Sequence, residues 1–129
     1  AANLSASLAE EGIIGFLFKN PDYLPIILAK TGEDRFVTDF NRRLFHALVE
    51  KLQQNSGAAL SDFAGELTPE EMGRFSAIVN REMPMTEEVL EDYIRTLEDA
   101  RLRNLSKKAG DLTQDQLLAA VRELQQKKR

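Results

Sequence analysis

The sequence predicts an all-α protein, a helical bundle of five to six helices followed by a C-terminal two-helix hairpin. Apolar residues recur every three or four positions through most of the 129 residues, which is the period of an amphipathic helix. Helix start signals precede several of these stretches. No segment alternates apolar and polar residues with the period of two that is typical of strands. We expect the bundle to span residues 7–85 and the hairpin to span residues 86–129.

The first helix is predicted from Ser7-Leu8-Ala9-Glu10, a capping-box pattern in which Ser accepts a backbone amide and Glu reaches back to the cap. The helix should run to about Lys19. Gly12 and Gly15 within it should let another helix approach closely, or else mark a loose first turn. The residues expected on its buried side are Ile13, Ile14, Leu17 and Phe18.

Asn20-Pro21 predicts the start of a second helix, because Asn is a good N-cap and Pro is favoured at the first helical position. This helix should end near Lys30, before Gly32. Thr38 is the expected cap of the clearest helix of the chain, from Asp39 to Gln54. The apolar residues that share one face of this helix are Phe40, Leu44, Phe45, Leu48, Val49 and Leu52.

The middle of the chain predicts a short helical turn from about Leu60 to Ala64 and then a longer helix. Thr68-Pro69-Glu70-Glu71 combines an N-cap, Pro at the first position and Glu at the third, and this is the strongest start signal in the sequence. The helix should end near Met83-Pro84. Its apolar face is expected to hold Met72, Phe75, Ile78 and Val79.

The last third of the chain predicts the hairpin. Thr86 should cap a long helix that runs to about Ala109, and Gly110-Asp111-Leu112 should break it. A shorter helix then follows from about Gln114, after a capping box at Thr113, and continues to the end of the chain. The long helix exceeds the body of a small bundle, so its basic second half should project. A two-helix hairpin has one apolar seam, and its remaining apolar surface needs a partner.

The composition excludes several kinds of site. The chain has no Cys, so disulfides and thiolate metal sites are excluded and a reducing, cytoplasmic setting is expected. No apolar run approaches the roughly 20 residues that span a bilayer, and we expect no membrane association. The chain starts without an initiator Met, and we expect it to be a fragment of a longer protein.

The charge of the chain is unevenly distributed. Residues 1–100 hold 9 basic and 18 acidic residues, a net charge of −9, whereas residues 101–129 hold 8 basic and 3 acidic residues, a net charge of +5. An acidic body would repel nucleic acid, and a basic tip could bind nucleic acid or an acidic protein surface. Lys and Arg are also favoured at helix C-termini, which explains many of the basic residues without any binding role.

No catalytic, cofactor-binding or metal-binding constellation is recognisable in the sequence. The acidic pairs Glu10-Glu11, Glu70-Glu71 and Glu87-Glu88 each fall in the first turn of a predicted helix, where the helix dipole favours negative charge. His46 is the only histidine, and without Cys a zinc site would need an unusual carboxylate set. The serines lack a base and an orienting acid in a recognisable context. We therefore expect neither enzyme activity nor a cofactor in this chain.

Two segments resemble the opening of two related families of helical modules. They run from Ala9 to Asp22 (AEEGIIGFLFKNPD) and from Phe36 to Leu48 (FVTDFNRRLFHAL). One family is the C-terminal helicase-binding domain of bacterial DNA primase (DnaG), and the other is the N-terminal domain of the bacterial replicative DNA helicase (DnaB). Leu90 to Leu97 (LEDYIRTL) and the Leu-rich last helix with its terminal Lys127-Lys128-Arg129 resemble the primase more closely. The Gly-Gly stretch usual before the helicase hairpin is also missing between Arg74 and Met85.

The resemblance to primase implies a module that docks the primer-synthesising enzyme onto the replicative helicase during DNA replication. The parent protein would be a nucleotidyltransferase whose zinc-binding and Mg²⁺-dependent polymerase domains lie outside this chain. A monomer whose terminal hairpin makes the main contact is implied as well. The seam of the long helix can cover only part of the apolar residues of the hairpin. The residues that we expect to bind the partner are Leu105, Leu117, Leu118, Val121 and Leu124.

Two other functions remain open. The chain could be the collar domain of the helicase itself, which would associate into a ring. It could also be a nucleic-acid-binding helical module that uses the basic tip. Direct binding of nucleic acid is disfavoured, because the sequence has no aromatic residue after Tyr93 on which a base could stack.

Overall fold

The fold consists of helices joined by short connections. A computed structural model describes the backbone of residues 4–55, 57–108 and 114–127, and the side chains of residues 5–55, 57–106, 118, 119 and 121–126. These ranges contain no strand, so the predicted all-α fold is confirmed. The α-helices are α1 (Leu4–Lys19), α2 (Leu24–Lys30), α3 (Asp39–Gln54), α4 (Pro69–Asn80), α5 (Glu87–Lys108) and α6 (Gln114–Lys127). Short 3₁₀ turns lie at Pro21–Tyr23, Glu33–Arg35 and Leu60–Phe63.

Helix α1 lies at the centre of the bundle and contacts α3, α4 and α5. Ile13, Ile14 and Leu17 are completely buried, as expected from the sequence. Phe16 is buried as well, whereas Phe18 is only partly buried against the core. A helix that is apolar on nearly all sides is stable only when other helices surround it, and this explains the central position of α1.

The two glycines of α1 mark the places where other helices approach it most closely. A Cβ atom at Gly12 would lie 2.5 Å from Cε2 of Tyr93 on α5, which is closer than two carbon atoms can approach. A Cβ atom at Gly15 would lie 3.3 Å from the carbonyl oxygen of Ile78 on α4. The prediction of close helix packing at these glycines is confirmed.

The predicted apolar faces of α3 and α4 form much of the remaining core. On α3 only Val49 of the expected residues is partly exposed, and on α4 only Met72 is. Edge-to-face contacts join Phe75 of α4 to Phe63 and to Phe18, with ring centroids 5.0 and 5.5 Å apart. The buried residues of these two helices are Phe40, Asn41, Leu44, Phe45, Leu48, Leu52, Phe75, Ile78 and Val79.

Two of the predicted helix starts have the expected hydrogen bonds. At the start of α4 the Glu71 amide donates to Oγ1 of Thr68 over 3.1 Å, and the Thr68 amide donates to Oε1 of Glu71 over 3.0 Å. At the start of α5 the Val89 amide donates to Oγ1 of Thr86 over 3.2 Å. The acidic pairs Glu70-Glu71 and Glu87-Glu88 lie in the first turns of these helices, as expected.

The capping box predicted at Ser7 is wrong. Helix α1 starts earlier, at Leu4, so Ser7 and the acidic pair Glu10-Glu11 lie beyond its first turn. Glu10 is fully buried and acts on another helix: its Oε2 accepts hydrogen bonds from the amides of Val37 (2.5 Å) and Thr38 (3.4 Å), just before α3. The buried carboxylate therefore lies at the N-terminus of α3, where the helix dipole favours a negative charge.

The side chains of Asn20 and Thr38 do not cap the helices that follow them. Asn20 instead donates from Nδ2 to the carbonyl oxygen of Phe16 over 3.0 Å, which satisfies the end of α1. Thr38 occupies the N-cap position of α3 without a side-chain hydrogen bond, and the carboxylate of Glu10 lies there instead. The helix predicted from Pro21 begins as a 3₁₀ turn and becomes α-helical only at Leu24.

Helix α4 ends at Asn80, earlier than the predicted end at Met83-Pro84. The next residue, Arg81, is held in an extended conformation against α1. Its Nη1 lies 3.5 Å from Oε1 of Glu11, and Nζ of Lys19 donates to its carbonyl oxygen over 3.3 Å. These contacts with α1 take the place of another helical turn.

Helix α5 belongs to the core over its first half. Leu90, Ile94, Leu97 and Ala100 are buried in the same core as α1. None of the described side chains after Ala100 is fully buried, which agrees with a second half that leaves the body. The predicted turn at Gly110-Asp111-Leu112 and the capping box at Thr113 lie outside the described residues. The division of the chain at residue 86 stays a prediction.

Candidate protein-interaction surface

Helix α6 presents two apolar side chains to solvent. Leu118 is 49% exposed and Val121 is 40% exposed, and both are among the most exposed large apolar residues of the described chain. Residues three positions apart on a helix are neighbours on its surface, with Cβ atoms roughly 5–6 Å apart. Leu118 and Val121 therefore form one apolar patch, which we call the α6 patch.

The other predicted binding residues differ from this pair. Leu105 of α5 and Leu124 of α6 are each partly buried, so both have some cover within the chain. The side chain of Leu117 lies outside the described residues. The structure thus separates the predicted set into an exposed pair and a partly covered pair.

Polar and charged side chains lie on the same helix as the α6 patch. Arg122, Gln125 and Gln126 are exposed. Exposed apolar patches with a polar rim are found at surfaces that bind another protein. Arg122 makes no ion pair with any described residue, so its charge is available to a partner.

A chain of ion pairs, which we call the charge chain, links the bundle to α6. Nε of Arg35, in the turn before α3, lies 3.4 Å from Oε2 of Glu98 on α5. Oε1 of Glu98 lies 3.5 Å from Nη1 of Arg101, one turn further along α5. Nη2 of Arg101 pairs with Oε1 of Glu123 on α6. Positive and negative groups therefore alternate from the bundle to the terminal helix.

Three of the four members of the charge chain are poorly accessible to solvent, whereas the side chain of Glu123 is 38% exposed. The side chain of Arg101 is 15% exposed, that of Arg35 is 19% exposed and that of Glu98 is 24% exposed. Sequence reasoning did not identify these residues. The i,i+3 spacing of Glu98 and Arg101 was a visible signal, but their pairing with Arg35 and Glu123 depends on how separate helices pack.

A second cluster of charged residues joins the starts of α3 and α4. Arg43 lies 3.2 Å from Asp39 and 3.0 Å from Glu71, measured between nitrogen and oxygen atoms. The Thr68 amide, followed by Arg43, holds the pKa of Glu71 below its ordinary value. Arg43 and Arg42 likewise lower the pKa of Asp39. The cluster gives Glu71 a structural role at the start of α4.

His46 lies on the surface between two carboxylates. Its Nδ1 is 2.5 Å from Oε2 of Glu33, and its Nε2 is 2.7 Å from Oε1 of Glu50. The hydrogen bond with Glu33 is the main cause that raises the pKa of His46 above its ordinary value of 6.5. Because both ring nitrogens already face a carboxylate, His46 is best described as part of a surface ion-pair cluster.

Metal-binding groups and membrane-spanning helices are both absent from the described part of the chain. No group of three His, Asp or Glu side chains in these ranges is placed to hold a metal ion. None of the described helices is both long enough and apolar enough to cross a membrane. Comparisons with protein-family models, with curated proteins and with solved structures found no match to the chain. The expected absence of catalysis, cofactor and metal stays a prediction.

Proposed function

We propose that this chain is the helicase-interaction module of a bacterial DNA primase. The observation that carries a docking role is the α6 patch, an exposed apolar pair on a helix beyond Ala100, the last buried core residue among those that the structure describes. The choice of partner comes from the sequence. The segments that resemble the primase domain form most of α1 and the start of α3, which are central to the fold.

In this proposal the bundle is a rigid support and the hairpin is the contact. An apolar pair on a helix binds a partner by entering a groove of the partner, as in other helix-in-groove complexes. Leu118 would be the central residue, because it is the more exposed of the pair. The chain would act in the cytoplasm as a monomer and would carry out no chemistry itself. The parent primase would supply the nucleotidyl transfer.

Calorimetric titration with the replicative helicase of the same organism tests this function. We expect Leu118→Asp to weaken binding by more than ~2 kcal/mol, the scale of an interface hot spot, because the complex would bury an unpaired charge. Circular dichroism should show little change in helicity, since Leu118 is 49% exposed in the free protein. Unchanged affinity for a folded Leu118→Asp variant would rule out this face.

Leu28→Asp is the matched control. Leu28 lies on α2 and is 39% exposed, so the substitution places the same charge on a similarly accessible apolar residue away from the hairpin. This variant should bind the helicase as tightly as the natural protein. If the unaltered chain itself fails to bind the helicase, the proposed function is wrong.

The two alternatives have their own measurements. A helicase collar domain would sediment as stable dimers or larger rings, whereas the primase module would sediment as a monomer. A nucleic-acid-binding module would bind single-stranded DNA with an affinity that falls steeply as salt is raised, because basic residues release counterions from phosphate. Either result would replace the proposal.

A further inference from the structure

Both apolar and ionic contacts hold α6 in its position against α5. The described apolar residues of α5 beyond Ala100, Leu102 and Leu105, are only partly buried, and so is Leu124 of α6. A seam of partly exposed leucines gives a smaller hydrophobic contribution than the closed core around α1. Arg101 is more enclosed than most surface charges, and it joins α5 to α6 through Glu123. The ion pair of Arg101 with Glu123 is therefore one of the described contacts that hold α6 against α5.

The charge chain also gives α6 a connection to the body of the bundle. Glu98 uses one carboxylate oxygen for Arg35 and the other for Arg101. Arg35 belongs to the turn between α2 and α3, so the chain spans three separate parts of the fold. The planar guanidinium of Arg101 presents its N–H groups in fixed directions, whereas a Lys ammonium group is a point charge on a flexible stem and fixes the directions of its partners less well.

We propose that Arg101 is a positioning residue that sets the direction of α6 relative to the bundle and so presents the α6 patch to the partner. This inference rests on the proposed function for the identity of the partner, but the positioning itself is a property of the free chain. Without Arg101, Glu123 would lose its described ion pair with α5, while Glu98 would keep its ion pair with Arg35. The loss of this contact would favour movement of α6 away from α5.

A distance measurement on the free protein tests the positioning directly. The chain has no Cys, so Cys introduced at the exposed positions Gln53 on α3 and Gln125 on α6 can be spin-labelled specifically. Pulsed electron paramagnetic resonance should give a narrow distance distribution for this labelled protein. We expect Arg101→Ala to broaden or shift the distribution, and Arg101→Lys to give an intermediate result because the charge remains.

Exchanging the charges of Arg101 and Glu123 distinguishes a positioning role of this ion pair from the simple loss of a side chain. Arg101→Glu and Glu123→Arg should each broaden the distance distribution, and the double variant should narrow it again. Arg122→Glu is the matched control: it changes the net charge as Arg101→Glu does, on a residue that makes no ion pair with any described residue. It should leave the distances unchanged. An unchanged distribution for Arg101→Ala, or no recovery in the double variant, overturns the inference.

Partner binding provides the second measurement. If the fraction of molecules that hold α6 in the docking position falls to about one fifth of its value in the natural protein, the apparent affinity for the helicase falls about fivefold. We therefore expect Arg101→Ala to bind the helicase about fivefold more weakly with little change in melting temperature, because the buried core residues that the structure describes all precede Arg101. Unchanged or tighter binding by Arg101→Ala also overturns the inference. Absence of binding by the unaltered chain refutes the proposed function, while the distance measurement still decides the role of Arg101.

Discussion

Gly12 of α1 faces the ring of Tyr93 on α5 so closely that a Cβ atom at Gly12 would lie 2.5 Å from Cε2 of the tyrosine. The Tyr93 ring packs against the core, and its hydroxyl lies 3.9 Å from the sulfur of Met83. The ring therefore cannot move aside without losing contacts. This pair fixes the separation of the two helices that make the most extensive contact in the bundle.

Gly12→Ala should destabilise the protein, although Ala is the better helix former. Forcing the Tyr93 ring to shift costs about 1–3 kcal/mol in a packed site, which exceeds the helix-propensity gain of about 1 kcal/mol. Gly73→Ala on α4 is the control, since its Cβ would meet no atom within 4 Å, and it should stabilise the protein by about 0.5–1 kcal/mol. Urea denaturation measures both changes. Equal effects of the two substitutions would contradict the close packing at Gly12.

Glu10→Ala should destabilise the protein more than Glu10→Gln. The alanine leaves the Val37 amide and Nδ2 of Asn41, which donates to Oε1 of Glu10 over 3.0 Å, without their acceptor. Each such loss costs about 1–3 kcal/mol. The glutamine keeps one acceptor and can donate to the buried Oδ1 of Asn41, which has no hydrogen-bond partner in the natural protein. Urea midpoints of the two variants check this order, and the reverse order would refute it.

The imidazole of His46 should titrate above its ordinary pKa of 6.5, mainly because of the hydrogen bond with Glu33. A raised pKa favours the protonated form, so the two ion pairs of His46 stabilise the fold at low pH and are lost as pH rises through that pKa. His46 is the only histidine, and its NMR titration is therefore unambiguous. Glu33→Gln should lower the pKa more than the control Glu50→Gln does. An equal or smaller effect of Glu33→Gln would contradict this assignment.

Deletion of residues 109–129 should leave a folded helical bundle, because every buried core residue in the described part of the chain lies at or before Ala100. The shortened chain should still unfold cooperatively with heat when followed by circular dichroism. A broad, non-cooperative transition would show that α6 is required for the core and would contradict the two-part organisation.

The chain should contain no structural metal and should synthesise no primers alone. His46 is the single histidine, there is no Cys, and the acidic pairs of α4 and α5 lie at helix starts where they stabilise the helix. Elemental analysis and a primer-synthesis assay check the two parts of this prediction. Stoichiometric zinc, or primers made by this chain without its parent, would refute it.

The fold could be predicted well wherever a signal is local. The 3.6-residue period of α3 identified its buried face, and Thr68-Pro69-Glu70-Glu71 located the start of α4, because both signals lie within one helix. The role of Glu10 could not be predicted, because its partners are 27 or more positions away and depend on how α1 packs against α3. The sequence pattern at Ser7 resembled a capping box, yet α1 starts at Leu4, and Ala6, just before Ser7, is already buried in the core.

The candidate surface could be predicted only where its signal lies within one helix. Leu118 and Val121 follow from the apolar spacing of one helix, and the structure leaves both exposed. The pairing of Arg101 with Glu123 depends on the relative rotation of α5 and α6, which no spacing within either helix determines. Sequence patterns thus identified the apolar patch and missed the ionic contact beside it.

The central position of α1 also has a consequence during synthesis on the ribosome. Gly12 is made 81 residues before Tyr93, its partner across the α1–α5 contact. At a synthesis rate of about 5–20 residues per second, roughly 4–16 s pass between the synthesis of Gly12 and that of Tyr93 on the helix that covers α1. Its nearly continuous apolar surface has no cover from α5 during that interval. We therefore expect α1 to be the segment of the nascent chain that chaperones bind first, and that is released when α5 emerges.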